Sequence, residues 1–356
     1  MSPDKPAQNG DVVVSQTANC DHIPVIDLSS LDSPDVEERQ KLAALINDAC
    51  TKVGFFYIKN HGIPEDMIEA VHNAAERFFN LTEAQKMRYY IGNSRKFRGY
   101  TPMGAEEATG TEQDLGSEKK TVSEAFDIGY ETAMDLEKNP SDALPTDTFE
   151  LYGENQMPDE EMIPGFAKTY IDYCGIVLKT CRQMMRIFAL ALELPEEYFD
   201  SKMRHPGVTS RMLHYPAQSV GEEQGGLGAH TDYECFTVLS QGRVSGLQVL
   251  NQQGEWIPAP PIPGTLVVNI GDCLSIWSNK KFKSTIHRVA NLSGKERYSV
   301  PFFFGVDYDT TVSVLPHLVL GNAPACAVPF KAGAWVRNKL SQACNCDVRG
   351  NIEVYN

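Results

Sequence analysis

The chain shows its first alternation of apolar and polar positions at residues 22–31, "HIPVIDLSSL", which reads as a short strand. Asp35 then stands where a helix cap is expected. Leu42, Leu45 and Ile46 give the helix that follows, to about Cys50, one apolar face. Residues 54–62, "GFFYIKNHG", form a short apolar run between glycines and predict a buried strand. A second helix is predicted from about Pro64 to Phe79, carrying Met67, Ile68, Val71, Phe78 and Phe79. From Gly92 to about Pro164 the pattern dissolves into Gly, Thr, Asp, Glu and Pro, and only residues 124–130, "EAFDIGY", read as ordered. A connection this long inside a domain is expected to be functional or mobile. Residues 164–195 carry the strongest helical signal, apolar over one broad face, and predict a spine against which a sheet packs.

Beyond Gly207 the period changes. Short apolar stretches follow at regular intervals, among them "TSRMLHYP", "CFTVLSQ", "GLQVL", "TLVVNIGD", "STIHRVAN" and "RYSVPFFFG", with Gly, Pro, Asn or Asp in most gaps. That is the rhythm of an all-β sandwich or barrel. A helix returns near residues 331–344. The expected fold class is α+β with a mainly β core: a double-stranded β-helix, or jelly roll, of about eight strands, flanked by helices and preceded by a helical N-terminal region. The expected divisions are a disordered polar tail (1–21) and a mixed region (22–200) holding a lid loop (92–163) and the spine helix (164–195). A catalytic β core (201–316) and a C-terminal helix and tail (317–356) complete the chain.

Composition narrows the partners. With 356 residues, 42% of them hydrophobic, the chain can bury one large core. A net charge of −15 and the lack of any basic run make nucleic acid an unexpected partner. The nine cysteines are odd in number and show no Cys-x-x-Cys pair, so reduced thiols are expected rather than a disulfide framework. No signal-peptide pattern opens the chain, and no stretch approaches the roughly 18 apolar residues of a membrane span. A cytoplasmic protein is expected, with a small-molecule substrate, no membrane association and no obligate protein partner.

The chemistry centres on residues 227–242, "GLGAHTDYECFTVLSQ". Residues i and i+2 of a strand share a face, so His230 and Asp232 can grip one ion from one side. A third ligand is expected from a neighbouring strand, and "KSTIHRVAN" offers His287. Two imidazoles and one carboxylate on one face of an octahedron leave the opposite positions open, as in non-haem Fe(II) oxygenases. In "ERYSVPFFFG", Arg297 and Ser299 again share a face, and a guanidinium with a hydroxyl makes a clamp for a carboxylate. A diacid held there by one end could chelate iron with the other, which describes 2-oxoglutarate. A lone His-x-Asp, His or Arg is usually structural; together and in this order they point to metal. Histidines 22, 61, 72, 205, 214 and 317 lack such company and are read as structural.

These motifs, with "GFFYIKNHGIP" and "GEWIPAPPIPGTLVVNIGD", make the chain resemble the 2-oxoglutarate and Fe(II)-dependent oxygenases of the isopenicillin N synthase-like type, over most of its length to about Pro316. The resemblance implies His230, Asp232 and His287 on iron, and Arg297 and Ser299 on the 2-oxoglutarate carboxylate. Tyr215 in "LHYP" matches a further position that contacts this carboxylate. Where many plant members carry Asn two residues before that Tyr, this chain has Leu213, which makes that wall more apolar. The implied reaction couples O2 and decarboxylation of 2-oxoglutarate to hydrogen abstraction from a small molecule, ending in hydroxylation, desaturation or ring closure. One alternative is an oxidative cyclase that uses O2 without 2-oxoglutarate, its substrate's carboxylate held by Arg297 and Ser299. A remoter one is a non-catalytic β-barrel binder. Strand parity adds Arg211, Leu213 and Phe303 as candidate substrate contacts, and the lid adds Tyr100 and Phe126. An inward arginine needs an anion, and for Arg211 a protein carboxylate is favoured over an acidic substrate.

Overall fold

The computed structural model describes residues 22–105, 121–218, 226–319 and 325–343. The tail expected at 1–21, the middle of the expected lid loop and the last 13 positions, 344–356, lie outside the described residues. The chain begins with β1 (Val25–Asp27), α1 (Val36–Lys52) and β2 (Phe55–Lys59). Asp35 caps α1 by accepting a hydrogen bond from the Glu37 N–H. Leu42 and Ile46 are buried as expected, but Leu45 is 59% exposed. At 100° per residue, Leu45 falls just outside the stripe set by Leu42, Ala43, Ile46, Ala49 and Cys50.

Next come α2 (Glu65–Phe79), the single turn α3 (Glu83–Lys86), β3 (Gly99–Thr101) and β4 (Glu124–Gly129). The segment expected to be a lid loop therefore supplies two strands. β4 pairs antiparallel with the next strand, from Glu124 opposite His214 to Gly129 opposite Thr209, and β3 pairs with β4. Its strand pattern is hidden because all six residues of β4 are buried, two of them charged. Glu124 is met by Lys86 at 2.5 Å and His214 at 2.7 Å, and Asp127 by Arg211 at 2.8 Å. The long helix α4 (Phe166–Ala191) packs on α1 and α2 and behind the large sheet. A bidentate ion pair from Arg182 to Asp135, at 2.6 and 2.7 Å, ties it to the segment after β4.

The jelly roll itself is made of β5 (Val208–Tyr215), β6 (Gly226–His230), β7 (Phe236–Ser240), β8 (Leu247–Leu250), β9 (Trp256–Pro258), β10 (Thr265–Ile270), β11 (His287–Ala290) and β12 (Arg297–Phe304). The large sheet runs β1-β2-β10-β7-β12-β5-β4-β3 and the small one β6-β11-β8-β9. Their inner faces meet through Tyr57, Leu239 and Val267 of the large sheet and Leu247 and Val249 of the small one. A short helix, α5 (Asp272–Trp277), follows β10. The chain then forms the two-stranded pair β13 (Thr311–Val312) and β14 (Phe330–Lys331) and ends its described part in α6 (Ala332–Ala343).

Candidate active site

The stretch 227–242 is two strands in two different sheets: β6 ends at His230, and β7 begins at Phe236. Asp232 thus sits in the link between them rather than in a strand, and the turn, not strand parity, brings it to His230. β11 lies antiparallel to β6 with His287 opposite His230. His230 Nε2 and His287 Nε2 each stand 3.6 Å from Asp232 Oδ1. The three ligand atoms lie within 4.8 Å of one another, and no other such group of three occurs among the described residues.

Neighbours fix every donor. His230 Nδ1 is 2.7 Å from the Gly228 carbonyl, and His287 Nδ1 is 3.1 Å from that of Thr285. A carbonyl only accepts, so each Nδ1 carries the proton and each Nε2 presents its lone pair. Asp232 Oδ2 accepts from the Thr237 hydroxyl and, at 2.6 Å, from the Asn269 amide, which leaves Oδ1 toward the imidazoles. Burial opposes the charge on Asp232, but His287, His230 and these hydrogen bonds lower its pKa overall. Burial, with His230 adding to it, brings His287 down to about 4. Neutral imidazole and ionised carboxylate are the forms that ligate a metal.

Arg297 opens β12 opposite Tyr215 of β5, and Ser299 stands opposite Leu213. The Arg297 side chain is fully buried. Its Nη1 donates to Ser299 Oγ at 3.0 Å, its Nε to the Val244 carbonyl at 3.2 Å, and the guanidinium lies 4.9 Å from the centre of the Tyr215 ring. Nη2 has no partner. No carboxylate lies within ion-pair distance of Arg297 among the described residues. A buried cation without a counter-ion is costly, so this position fits an anion from outside the chain.

Triad, Arg297, Ser299 and Tyr215 all line one cavity between the two sheets, with about 1350 Å³ of empty space including its mouth. Arg211, Leu213 and Phe303 line it too. Arg211 holds Asp127 by two bonds, Nε to Oδ1 at 2.8 Å and Nη2 to Oδ2 at 3.0 Å, so its anion is a protein carboxylate. Tyr100 and Phe126, in contrast, are not part of the wall. In β4, Ala125 and Asp127 face the cavity side, and Phe126 points the other way, against Phe78 and Phe166 at ring distances of 4.5 and 5.5 Å. Tyr100 is buried with its hydroxyl donating to Glu124 at 2.6 Å. Tyr100→Phe is therefore expected to lower stability by about 1–3 kcal/mol while leaving substrate KM unchanged. Thermal melts and kinetics on the variant check this, and a raised KM with an unshifted melt would return Tyr100 to the substrate site.

Four features of the wall escaped the sequence reading. Phe97 and Ile91 stand where the lid residues were expected, and Glu234 lies just past Asp232. Val336, Leu340 and Ala343 of α6 also line the cavity. Their spacing of four and three was the available signal. The Trp335 indole N–H anchors this helix to the Tyr233 carbonyl at 3.1 Å.

Comparison with known proteins agrees with this geometry. The family described as the 2OG-Fe(II) oxygenase superfamily matches residues 206–306, and the non-haem dioxygenase in morphine synthesis N-terminal family matches residues 23–160. The chain is 35% identical to the 2-oxoglutarate-Fe(II) type oxidoreductase ppzC of Metarhizium majus, over 92% of this chain and 89% of that protein. It is also 35% identical to the homoarginine-6-hydroxylase 2-ODD-C23 of Glycine max, over 82% of this chain and 88% of that one. Among solved structures, a full-length Neurospora crassa protein in complex with alpha-KG and thymine superposes with a TM-score of 0.74 at 28% identity, covering 90% of this chain and 96% of that one. The chain belongs to the 2-oxoglutarate and Fe(II)-dependent oxygenase superfamily. It is a 2-oxoglutarate-dependent Fe(II) dioxygenase that uses O2, and the comparisons favour this over an oxidative cyclase working without 2-oxoglutarate. No helix of the described residues is long and apolar enough to cross a membrane.

Proposed function

We propose that the enzyme oxidises a C–H bond of a small molecule beside an iron held by His230, Asp232 and His287, with 2-oxoglutarate clamped by Arg297, Ser299 and Tyr215. The observation that carries this reading is the buried Arg297 guanidinium, with its unpartnered Nη2, opening into the same cavity as the three convergent ligand atoms. Bound there, iron and 2-oxoglutarate supply the oxidising power, with O2 consumed as 2-oxoglutarate loses CO2 and becomes succinate. The chain's own residues supply position and exclusion. The Gly228 and Thr285 carbonyls hold the two imidazoles in one tautomer, and Thr237 and Asn269 aim the carboxylate. Leu213, Phe303 and the α6 residues keep the reacting space apolar and shield it from water. Relatives named for hydroxylating homoarginine, and a neighbour solved with thymine, support a small-molecule substrate and hydroxylation as the default outcome.

Succinate release from 2-oxoglutarate by the purified enzyme tests the reading. It should require added Fe(II) and rise when a substrate is supplied from a small-molecule panel. Succinate formation that is indifferent to iron would contradict it. The carboxylate's support can be tested separately. Asn269→Ala should weaken Fe(II) affinity by roughly 10–100-fold, the usual effect of losing a hydrogen-bond partner of a metal ligand. Competition with a chelator reads this directly, and unchanged affinity would mean that Asn269 does not orient Asp232.

A further inference from the structure

We propose that Phe97 and, from α6, Val336 and Leu340 form one specificity surface that receives an apolar end of the substrate, with Leu340 setting how long that end can be. This deepens the reading above and rests on its assignment of the cavity to substrate.

The metal ligands and the carboxylate clamp all come from the jelly roll itself. Outside residues 206–306 the described wall changes character. Apart from Thr121, and from the Asp127 that Arg211 neutralises, every residue it adds there is apolar: Ile91, Phe97, Val336, Leu340 and Ala343. Such a surface favours apolar groups and penalises unpaired polar ones. Phe97, in the turn before β3, is held there against its own backbone preference. Its φ is 56°, in the left-handed region that a bulky residue rarely adopts. On one side the Lys96 N–H donates to Ser94 Oγ at 3.1 Å and the Phe97 N–H to the Ser94 carbonyl at 3.4 Å. On the other, the Arg98 carbonyl accepts from the Gln156 amide at 2.6 Å, and Arg98 Nη2 donates to the Leu151 carbonyl at 3.1 Å. Backbone strain held in place by its surroundings clusters at functional sites.

Val336 and Leu340 stand four residues apart and so share one face of α6. The helix is fixed where it meets the cavity. Besides the Trp335 bond to the Tyr233 carbonyl, the Ala332 N–H donates to the Thr310 carbonyl at 2.9 Å and the Gly333 N–H to the Tyr308 carbonyl at 2.8 Å. Arg337 Nη1 donates to the Phe149 carbonyl, and a Cβ added at Gly333 would collide with the Phe149 ring. Residues 149–156 therefore brace both contributions: Leu151 and Gln156 hold the turn of Phe97, and Phe149 holds α6. Two segments far apart in sequence become one braced apolar surface. Phe97 and Val336 are each only 4% exposed and also pack in the main core, so removing either would disturb stability as well as substrate. Leu340 is only partly buried. It is the position where the length of the space can be changed at least cost to the fold.

The test uses the straight-chain alcohols from butan-1-ol to octan-1-ol as probes. Each is titrated by calorimetry, without oxygen, into the enzyme carrying Fe(II) and 2-oxoglutarate. In wild type, affinity should rise about fourfold per added methylene, the transfer free energy of one CH2 group, and then stop rising at a limiting length. Leu340→Trp should bring that limit to a shorter alcohol, and Leu340→Ala should move it to a longer one. A merely structural role for Leu340 would lower the melting temperature of the variants and leave the limit in place. The same length profile in all three enzymes, or no alcohol bound by loaded wild type, would overturn the proposal. Either variant suffices for the comparison if the other does not fold. Binding of Fe(II) and 2-oxoglutarate is measured in the same samples. Its failure in wild type would overturn the reading of the site itself, whereas its success with an unmoved limit overturns only the specificity surface.

Discussion

Asp232→Ala should leave a folded protein that neither retains Fe(II) nor turns over. Asp232 is the anionic member of the triad, and its Oδ1 is the atom that both imidazole Nε2 atoms face at 3.6 Å. Losing a hydrogen-bond partner of a metal ligand typically costs roughly 10–100-fold, and losing the charged ligand itself should exceed that. The fold should survive, because Asp232 lies in a link rather than in a strand. Among the described residues, only the Thr237 hydroxyl and the Asn269 amide lose a side-chain acceptor, at a cost of about 1–3 kcal/mol. Metal analysis, circular dichroism and turnover on one preparation check all three points. His287→Ala should behave alike. A variant with intact iron content and activity would remove Asp232 from the metal site.

Arg297→Leu carries the second large effect. Its guanidinium is buried, touches Ser299 and the Val244 carbonyl, and has no carboxylate partner within the described chain. Removing one member of a buried charge pair costs about 2–5 kcal/mol, so KM for 2-oxoglutarate should rise between roughly thirtyfold and a few thousandfold. Fe(II) affinity should hardly change. Stability without co-substrate gives a sign that separates binding from structure. An uncompensated buried cation destabilises the empty protein, so the leucine variant should melt at the same temperature or higher. A lower melt with an unchanged KM would make Arg297 a structural residue.

Much of this is legible in the sequence because the jelly-roll strands are short, alternate, and end at Gly, Pro, Asn or Asp. The pairing of Arg297 with Ser299 also follows from parity alone, since both lie within β12. The unread parts have specific causes. β4 does not alternate, because it is buried on both faces and satisfies its charges with Lys86, His214 and Arg211. The sequence therefore offers Phe126 as a cavity residue when its neighbour Asp127 is the one that faces in. Asp232 reaches the triad through a turn that no period predicts. The α6 part of the wall comes from a segment far along the chain, and only tertiary packing brings Leu340 to His230's cavity.

The most direct test is anaerobic visible absorption of the purified protein with Fe(II), before and after 2-oxoglutarate is added. A new metal-to-ligand charge-transfer band is expected, lost in Asp232→Ala and needing far more 2-oxoglutarate in Arg297→Leu. Bound iron with no band at saturating 2-oxoglutarate would contradict it, because the co-substrate would then not chelate the metal at this triad.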